Sequence, residues 1–152
     1  MQADVPVPGG AAPTAGLLGD IVANRYKTRG VQGAIIDGRI RDVVGCGKLC
    51  KDGEFVTFTK GVTSVGTGLQ LKPWAVDIPL NIGSVIVKPG DIICADEAEQ
   101  VVVIIPQDKL KEVLQILPKL KQADEAVLRD AESGVDLKSS FAAHPDHYTH
   151  FH

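Results

Sequence analysis

The stretch Leu17–Asp42, LLGDIVANRYKTRGVQGAIIDGRIRD, decides how this chain is read. Within it, twenty residues separate Asp20 from the pair Arg41-Asp42, and they divide into a helical half and an extended half. From Leu17 to Arg29 the apolar side chains Leu17, Leu18, Ile21, Val22 and Tyr26 recur at helical spacing. Asp20, Asn24, Arg25, Lys27 and Arg29 fall largely on the other side. Gly30 supplies the stop that a helix C-terminus favours. Val31 to Ile36 is a short apolar run that predicts a strand, and Asp37-Gly38 after it is a turn signal. A helix of about thirteen residues climbs roughly 20 Å, and a strand of about six returns by about the same distance. The chain is thus expected to leave one edge at Asp20 and come back to it at Arg41-Asp42. Two carboxylates and a guanidinium would meet there, beside a helix N-terminus whose free amides attract anions.

At 152 residues the chain is long enough to bury one core without disulfides or structural metal. Aromatic residues make up only 5%, so that core must rest on Val, Ile, Leu and Ala. A net charge of −3 with no basic run disfavours nucleic-acid binding through phosphate neutralisation. No apolar segment approaches a membrane span, and the first twenty residues lack the charged-then-apolar pattern of a signal peptide. Cys46, Cys50 and Cys94 are odd in number and form no CxxC pair, which reads as reduced thiols in a cytoplasmic protein. A metal site on Cys46 and Cys50 would need two more ligands, and no nearby histidine offers one.

Ahead of the deciding stretch, residues 1–15 are rich in Pro, Gly and Ala and predict no helix, although Val5 and Val7 suit the tail of a strand. Behind it, Val43 to Gly53 is irregular, with Gly45 and Gly47 weakening any helix. Glu54 to Lys60 alternates and is rich in β-formers, which predicts a strand. Gly61 to Gly68 (GVTSVGTG) reads as a loop, either connecting or facing a ligand. Four short strands are predicted at Trp74–Leu80, Ser84–Lys88, Asp91–Ala95 and Gln100–Ile105, with turns at Asn81–Gly83, Pro89-Gly90 and Asp96-Glu97. Pro106-Gln107-Asp108 opens a long helix. Its apolar stripe runs Leu110, Val113, Leu114, Leu117, Leu120, Ala123 and Val127, with Pro118 inside it and Gly134 at its end. His144, His147, His150 and His152 lie in a tail expected to be disordered, with incidental metal affinity.

The edge cluster suggests a specific chemistry. A hard divalent ion, Mg2+ or Mn2+, keeps several waters and binds through one or two carboxylates, which suits a site whose ligand is Asp42. A 2-oxo acid would chelate that ion through its keto and carboxylate oxygens. Arg41 would hold the carboxylate with two parallel hydrogen bonds, and the amides around Leu18 and Gly19 would add partial positive charge. The metal would act as a Lewis acid on the keto oxygen and stabilise an enolate, common to retro-aldol cleavage and to decarboxylation of a 3-carboxy-2-oxo acid. Asp20 would orient a metal-bound water for proton transfer. From spacing alone the alternative stays open that Arg41 and Asp42 form an ordinary surface ion pair and Asp20 merely favours a helix start.

The same stretch closely resembles the core of the RraA-like family, which includes the class II pyruvate aldolases acting on 4-hydroxy-4-methyl-2-oxoglutarate and 4-carboxy-4-hydroxy-2-oxoadipate. Asp20, Arg41 and Asp42 match the family's Asp-x20-Arg-Asp signature, and Leu17-Leu18-Gly19 its substrate-carboxylate turn. VTSVGTG, WAVDIPLNIGSVIVKPGDIICAD and VVVIIPQDKL resemble the fungal branch, whose members also decarboxylate oxaloacetate. The resemblance implies an α/β fold, a β/β/α domain with a C-terminal helical extension, assembled as a homotrimer or hexamer with sites at subunit interfaces. It implies a single domain over residues 1–143, N-terminally shortened and with a C-terminal helix at 106–133, followed by the histidine tail at 144–152. By position it makes Asp42 the metal ligand, Arg41 the holder of the pyruvyl carboxylate and Asp20 the residue on a metal-bound water. Leu17, Leu18, Gly19 and Asp20 would lend substrate-binding amides. GCGKLCKD, Gly45 to Asp52, stands where the family usually has a more regular helical segment. The implied activity is a metal-dependent aldolase or decarboxylase on a small 2-oxo acid. Its alternatives are a truncated or repurposed member in a biosynthetic pathway, and a non-catalytic regulator like the bacterial members that inhibit ribonuclease E.

Overall fold

The structure, a computed structural model, describes residues 14–51, 53–68 and 75–148. The architecture is the mixed α/β arrangement expected, with a long C-terminal helix. The chain divides at Pro89-Gly90 into two compact units.

The first unit is built on three parallel strands in the order β1-β2-β3. Leu17 and Leu18, expected on the helix, lie instead in β1 (Gly16–Leu18), and α1 begins only at Asp20 and ends at Thr28. The extended path wins because neighbours satisfy its backbone: Gly16 N–H donates to the Val65 carbonyl at 2.8 Å, and Arg41 N–H donates to the Leu18 carbonyl at 2.9 Å. The shorter α1 buries Ala23 and half-buries Tyr26, whereas Ile21 is 77% exposed. Gly30, with φ +81°, follows as the left-handed stop.

β2 (Gly33–Ile40) runs straight through the expected Asp37-Gly38 turn, which becomes a shift in register against β3 between Ile36 and Arg39. Gly38 serves close approach here: a Cβ on it would stand 2.7 Å from Leu17 Cδ1. Val43 to Cys50, expected to be irregular, is helix α2. Its glycines are outweighed by packing, since Cys46 is buried in the core and Leu49 and Cys50 lean on it. β3 follows at Val56–Val62, two residues later than predicted at each end. The result is β-α-β-α-β, with a core of Leu18, Ala23, Ile40 and Cys46 from the first four elements and the fully buried Phe55 just ahead of β3.

Strands β4 (Leu80–Ile82) and β5 (Val85–Val87) form an antiparallel hairpin that turns at Gly83-Ser84. The strand predicted at Trp74–Leu80 is displaced: Ala75 forms an isolated bridge, residues 76–78 are bent chain, and Trp74 lies outside the described residues. Gly83 N–H donates to Asp37 Oδ2 at 3.1 Å, and Lys60 pairs with the same carboxylate. The bond from Lys60, then that from Gly83, holds the Asp37 carboxyl below the usual carboxylate range against the opposing pull of burial.

In the second unit, β6 (Ile92–Asp96) and β7 (Val101–Ile105) pair antiparallel, both close to the predicted positions. Asp96 Oδ1 accepts from the Ala98 and Glu99 amides at 2.8 and 3.0 Å and so shapes the connection. After Pro106 a single 3-10 turn leads into α3 (Leu110–Glu132), which contains Pro118. Ala123 and Val127 are buried, while Leu114 and Leu117 are exposed, so only the later part of the predicted stripe is covered within this chain. Helix α4 (Leu137–Ala143) was not evident from the sequence; Asp136 caps it by accepting from Ser139 N–H at 3.0 Å. The start of the histidine tail is ordered, contrary to expectation. Asp130 Oδ2 accepts from Ser140 Oγ at 2.8 Å and meets His144 Nε2 at 3.1 Å. His147 meets Asp124 and stacks on Phe141 with centroids 4.9 Å apart. His150 and His152 lie outside the described residues. No helix among the described residues is long and apolar enough to cross a membrane.

Candidate functional site

Ligands of α/β sheets gather beyond the carboxyl ends of the strands. In the first unit those ends lead into Gly19-Asp20 after β1, Arg41-Asp42 after β2 and Thr63–Gly66 after β3. Backbone bonds tie the three together: Arg41 N–H to the Leu18 carbonyl at 2.9 Å, Thr63 N–H to the Ile40 carbonyl at 2.9 Å, and Gly16 N–H to the Val65 carbonyl at 2.8 Å. The meeting of Asp20 with Arg41-Asp42 does not come from matched lengths. The nine residues of α1 climb roughly 14 Å, and the eight of β2 cover roughly 26 Å. It comes from parallel pairing, which puts Leu18 opposite Ile40.

Arg41 Nε donates to Asp42 Oδ2 at 3.0 Å, with both side chains about 40% exposed. The pair lies over Gly19, where a Cβ would stand 2.7 Å from Asp42 Oδ2 and 3.0 Å from Arg41 Nε. A Cβ on Gly66 would stand 3.2 Å from Arg41 Nη1, so the loop after β3 borders the end of the guanidinium. Asp42 adopts the left-handed conformation, φ 55° and ψ 44°, which aspartate tolerates better than most residues. Although it precedes α2, its carboxylate makes no capping bond, and Gly19 before α1 has no side chain to make one. Both helices therefore begin at this edge without side-chain caps, adding partial positive charge to it. Leu17 and Leu18 border the edge from β1, and Leu18, buried in the core, has only backbone to offer a ligand.

Asp20 opens α1 and lies against Gly45 in the first turn of α2. Cys46 braces the Arg41-Asp42 turn from beneath: its N–H donates to the Asp42 carbonyl at 3.0 Å and its thiol to the Arg41 carbonyl at 3.6 Å. Burial first, and then the carboxylates of Asp20 and Asp42, push the Cys46 thiol up, so it stays protonated and able to donate. Gly45 and Cys46 escaped the sequence reading because α2 did. The signal was the helical spacing of Cys46, Leu49 and Cys50, all on the core.

Among the described residues no group of three or more His, Cys, Asp or Glu side chains is placed to hold a metal. The donor set fits a hard cation that keeps its waters: Asp42 offers a half-exposed carboxylate with one oxygen on Arg41 and the other left over, and Asp20 stands on the adjoining helix. Arg41 spends Nε on Asp42 and keeps its two terminal nitrogens, the geometry that grips a carboxylate in two places.

Comparison with known proteins gives these residues a context. The family model described as RraA-like, Aldolase/RraA, matches residues 2–103. A protein of Halalkalibacterium halodurans, provisionally named 4-hydroxy-4-methyl-2-oxoglutarate aldolase, is 32% identical over 113 residues, covering 74% of this chain and 50% of its own length. A protein of Shewanella oneidensis under the same provisional name is 32% identical over 95 residues, or 60% of this chain and 52% of its own. The chain thus spans about half the length of these curated relatives. Among solved structures, Streptomyces coelicolor RraAS2, described as an unusual member of the RNase ES inhibitor RraA protein family, superposes with a TM-score of 0.65 at 32% identity, covering 78% of this chain and 57% of that one. An uncharacterized protein from Pseudomonas syringae pv. tomato reaches a TM-score of 0.73 at 23% identity over 89% of this chain and 60% of that one, a likeness of fold.

Proposed function

On the premise that this chain belongs to the RraA-like family (Aldolase/RraA), we propose that it is a divalent-metal-dependent carbon–carbon lyase acting on a small 2-oxo acid. Its reaction in this reading is retro-aldol cleavage of 4-hydroxy-4-methyl-2-oxoglutarate to pyruvate, decarboxylation of oxaloacetate, or both. The observation that carries the reading is the packing of Arg41 and Asp42 together over Gly19 at the carboxyl edge of the sheet, where two helices begin uncapped. The provisional names of two relatives support the same substrate class.

In this reading Asp42 would hold Mg2+ or Mn2+ through its carboxylate, as a hard cation that needs only one or two such ligands allows. The ion, when bound, supplies Lewis acidity to the keto oxygen as negative charge develops there. Arg41 fixes the adjacent carboxylate with its terminal nitrogens, and the amides of Leu17, Leu18, Gly19 and Asp20 reinforce that anion-binding edge. Asp20 holds a water through which a proton leaves the 4-hydroxyl and is later returned to the methyl carbon of pyruvate. In decarboxylation the same edge receives the charge left by departing carbon dioxide. The working assembly in this reading is a homotrimer or hexamer.

The test is pyruvate release from both substrates with Mg2+ or Mn2+, measured above the metal-only blank. Activity is expected and EDTA should abolish it. Asp42→Asn keeps a side chain that tolerates left-handed backbone while removing the charge, and it should lose metal dependence and turnover together. Full metal-dependent activity in that variant would overturn the role given to Asp42. The likeness to RraAS2 favours a second reading, a non-catalytic regulator of a ribonuclease. Inhibition of RNase ES by a well-folded protein without lyase activity would establish it in place of the first.

A further inference from the structure

The two carboxylates at the edge are seated reciprocally. Asp42, ahead of α2, lies over Gly19 ahead of α1; Asp20, at the head of α1, lies over Gly45 in the first turn of α2. A Cβ on Gly45 would stand 2.5 Å from Asp20 Cβ and 2.8 Å from its Cγ, and closer still to Oδ2. Because Cβ is fixed to the backbone, no change of rotamer relieves that overlap; α1 itself would have to move. Gly45 is absent from the positive-φ glycines, so its conformation is open to any residue. Glycine inside a helix costs about 1 kcal/mol relative to alanine, and here space is the reason for it. Gly47, two residues on in the same helix, has nothing within 4 Å of the place a Cβ would occupy and is an internal control.

Resting on the lyase reading above, we propose that Gly45 is a positioning residue for Asp20: its missing side chain lets the first turn of α2 receive the Asp20 carboxylate and sets where that group delivers its proton. The three atoms nearest a Cβ on Gly45 all belong to Asp20, so the added group acts first on Asp20 and not on the residues given metal and carboxylate binding.

Four variants decide it: Gly45→Ala, Gly47→Ala, Asp20→Gly and the double variant Asp20→Gly/Gly45→Ala. The readouts are kcat and KM on oxaloacetate and 4-hydroxy-4-methyl-2-oxoglutarate, Mn2+ affinity, solvent-deuterium uptake into the methyl group of pyruvate, and thermal stability. Gly45→Ala should lower kcat and deuterium uptake by about 10²-fold, the lower end of what a positioned acid–base group supplies. Mn2+ affinity should stay within about twofold, the scatter of independent sites, and KM should rise far less than kcat falls, because only the Asp20 amide of the carboxylate-binding edge belongs to α1. Gly47→Ala should leave all four unchanged or raise stability. Gly45→Ala should lower the melting temperature in the natural background and not in Asp20→Gly, where the seated side chain is gone. Equal kcat in Gly45→Ala and Gly47→Ala would overturn the proposal, as would parallel losses in kcat, KM and Mn2+ affinity. If the natural protein turns over neither substrate, the lyase reading fails by itself, and the stability comparison still decides the seat: unequal effects in the two backgrounds support it, equal effects overturn it.

Discussion

Replacing Arg41 with lysine keeps a positive charge and removes a planar fork, which makes it a sharp probe of how the edge would bind a 2-oxo acid. Arg41 Nε is engaged by Asp42 Oδ2 at 3.0 Å, so an incoming carboxylate meets the two terminal nitrogens. A lysine brings one ammonium to serve both Asp42 and the substrate, and at least one charge-assisted hydrogen bond is lost. Such a bond contributes about 1.5–3 kcal/mol, and at 1.4 kcal/mol per factor of ten the loss amounts to a rise in KM of about 10- to 140-fold. The substrate carboxylate keeps its charge throughout the reaction, so the contact is uniform and kcat should change much less than KM. Stability should hardly move, because an ion pair about 40% exposed on both sides is worth about 0–1 kcal/mol. Initial rates at saturating Mn2+, with pyruvate detected by a lactate dehydrogenase couple, separate the two constants. A KM within about twofold of the parent, or a loss falling wholly on kcat, would refute this account of Arg41.

The rest of the first unit makes two further expectations. Asp37 has its folded-state pKa held below the ordinary value, chiefly by the bond from Lys60. Its contribution is therefore complete above the ordinary aspartate pKa and disappears as pH falls through the depressed one. Asp37→Asn should cost about 0.5–1 kcal/mol in urea unfolding at neutral pH, and the gap should close as pH drops below about 3.9; a gap independent of pH would contradict the bonding described. Phe55, fully buried among Leu18, Ala23, Ile40 and Cys46, should cost about 3–5 kcal/mol on replacement by alanine. A cost below about 1 kcal/mol, the level of a surface change, would place it outside the cooperative core.

The parts of the fold legible in the sequence are those where one local signal is undisputed. Val101–Ile105 is a continuous β-branched run, and α3 carries a long stripe closed by Gly134 with φ +81°. The misreadings have a common cause, in that tertiary contacts overrule local pattern. Leu17-Leu18 sits at helical spacing yet is held extended by bonds to distant carbonyls, and Gly38 marks close approach to Leu17 instead of a turn. Gly45 argues against a helix at α2 until Asp20 is seen to need the room. At the candidate site, the spacing of Asp20 from Arg41-Asp42 was visible and their nearness follows from strand pairing, while the supporting roles of Gly45, Cys46 and Gly66 were invisible without that pairing. The histidines show the same limit, since Asp124 and Asp130 are twenty-three and fourteen residues away from His147 and His144.

The three consecutive parallel strands also carry a lesson about adaptability. Two of the connections that follow them bear the charged groups, and the third, Thr63–Gly66, bears none and is anchored mainly through main-chain bonds. Its main-chain anchors leave Ser64 and Val65 open to exchange, whereas Gly66 is kept small by the guanidinium of Arg41. In the lyase reading, a palm that stays constant and one finger that varies at two positions would let descendants of this scaffold discriminate among different acids while retaining a single way of breaking the carbon–carbon bond.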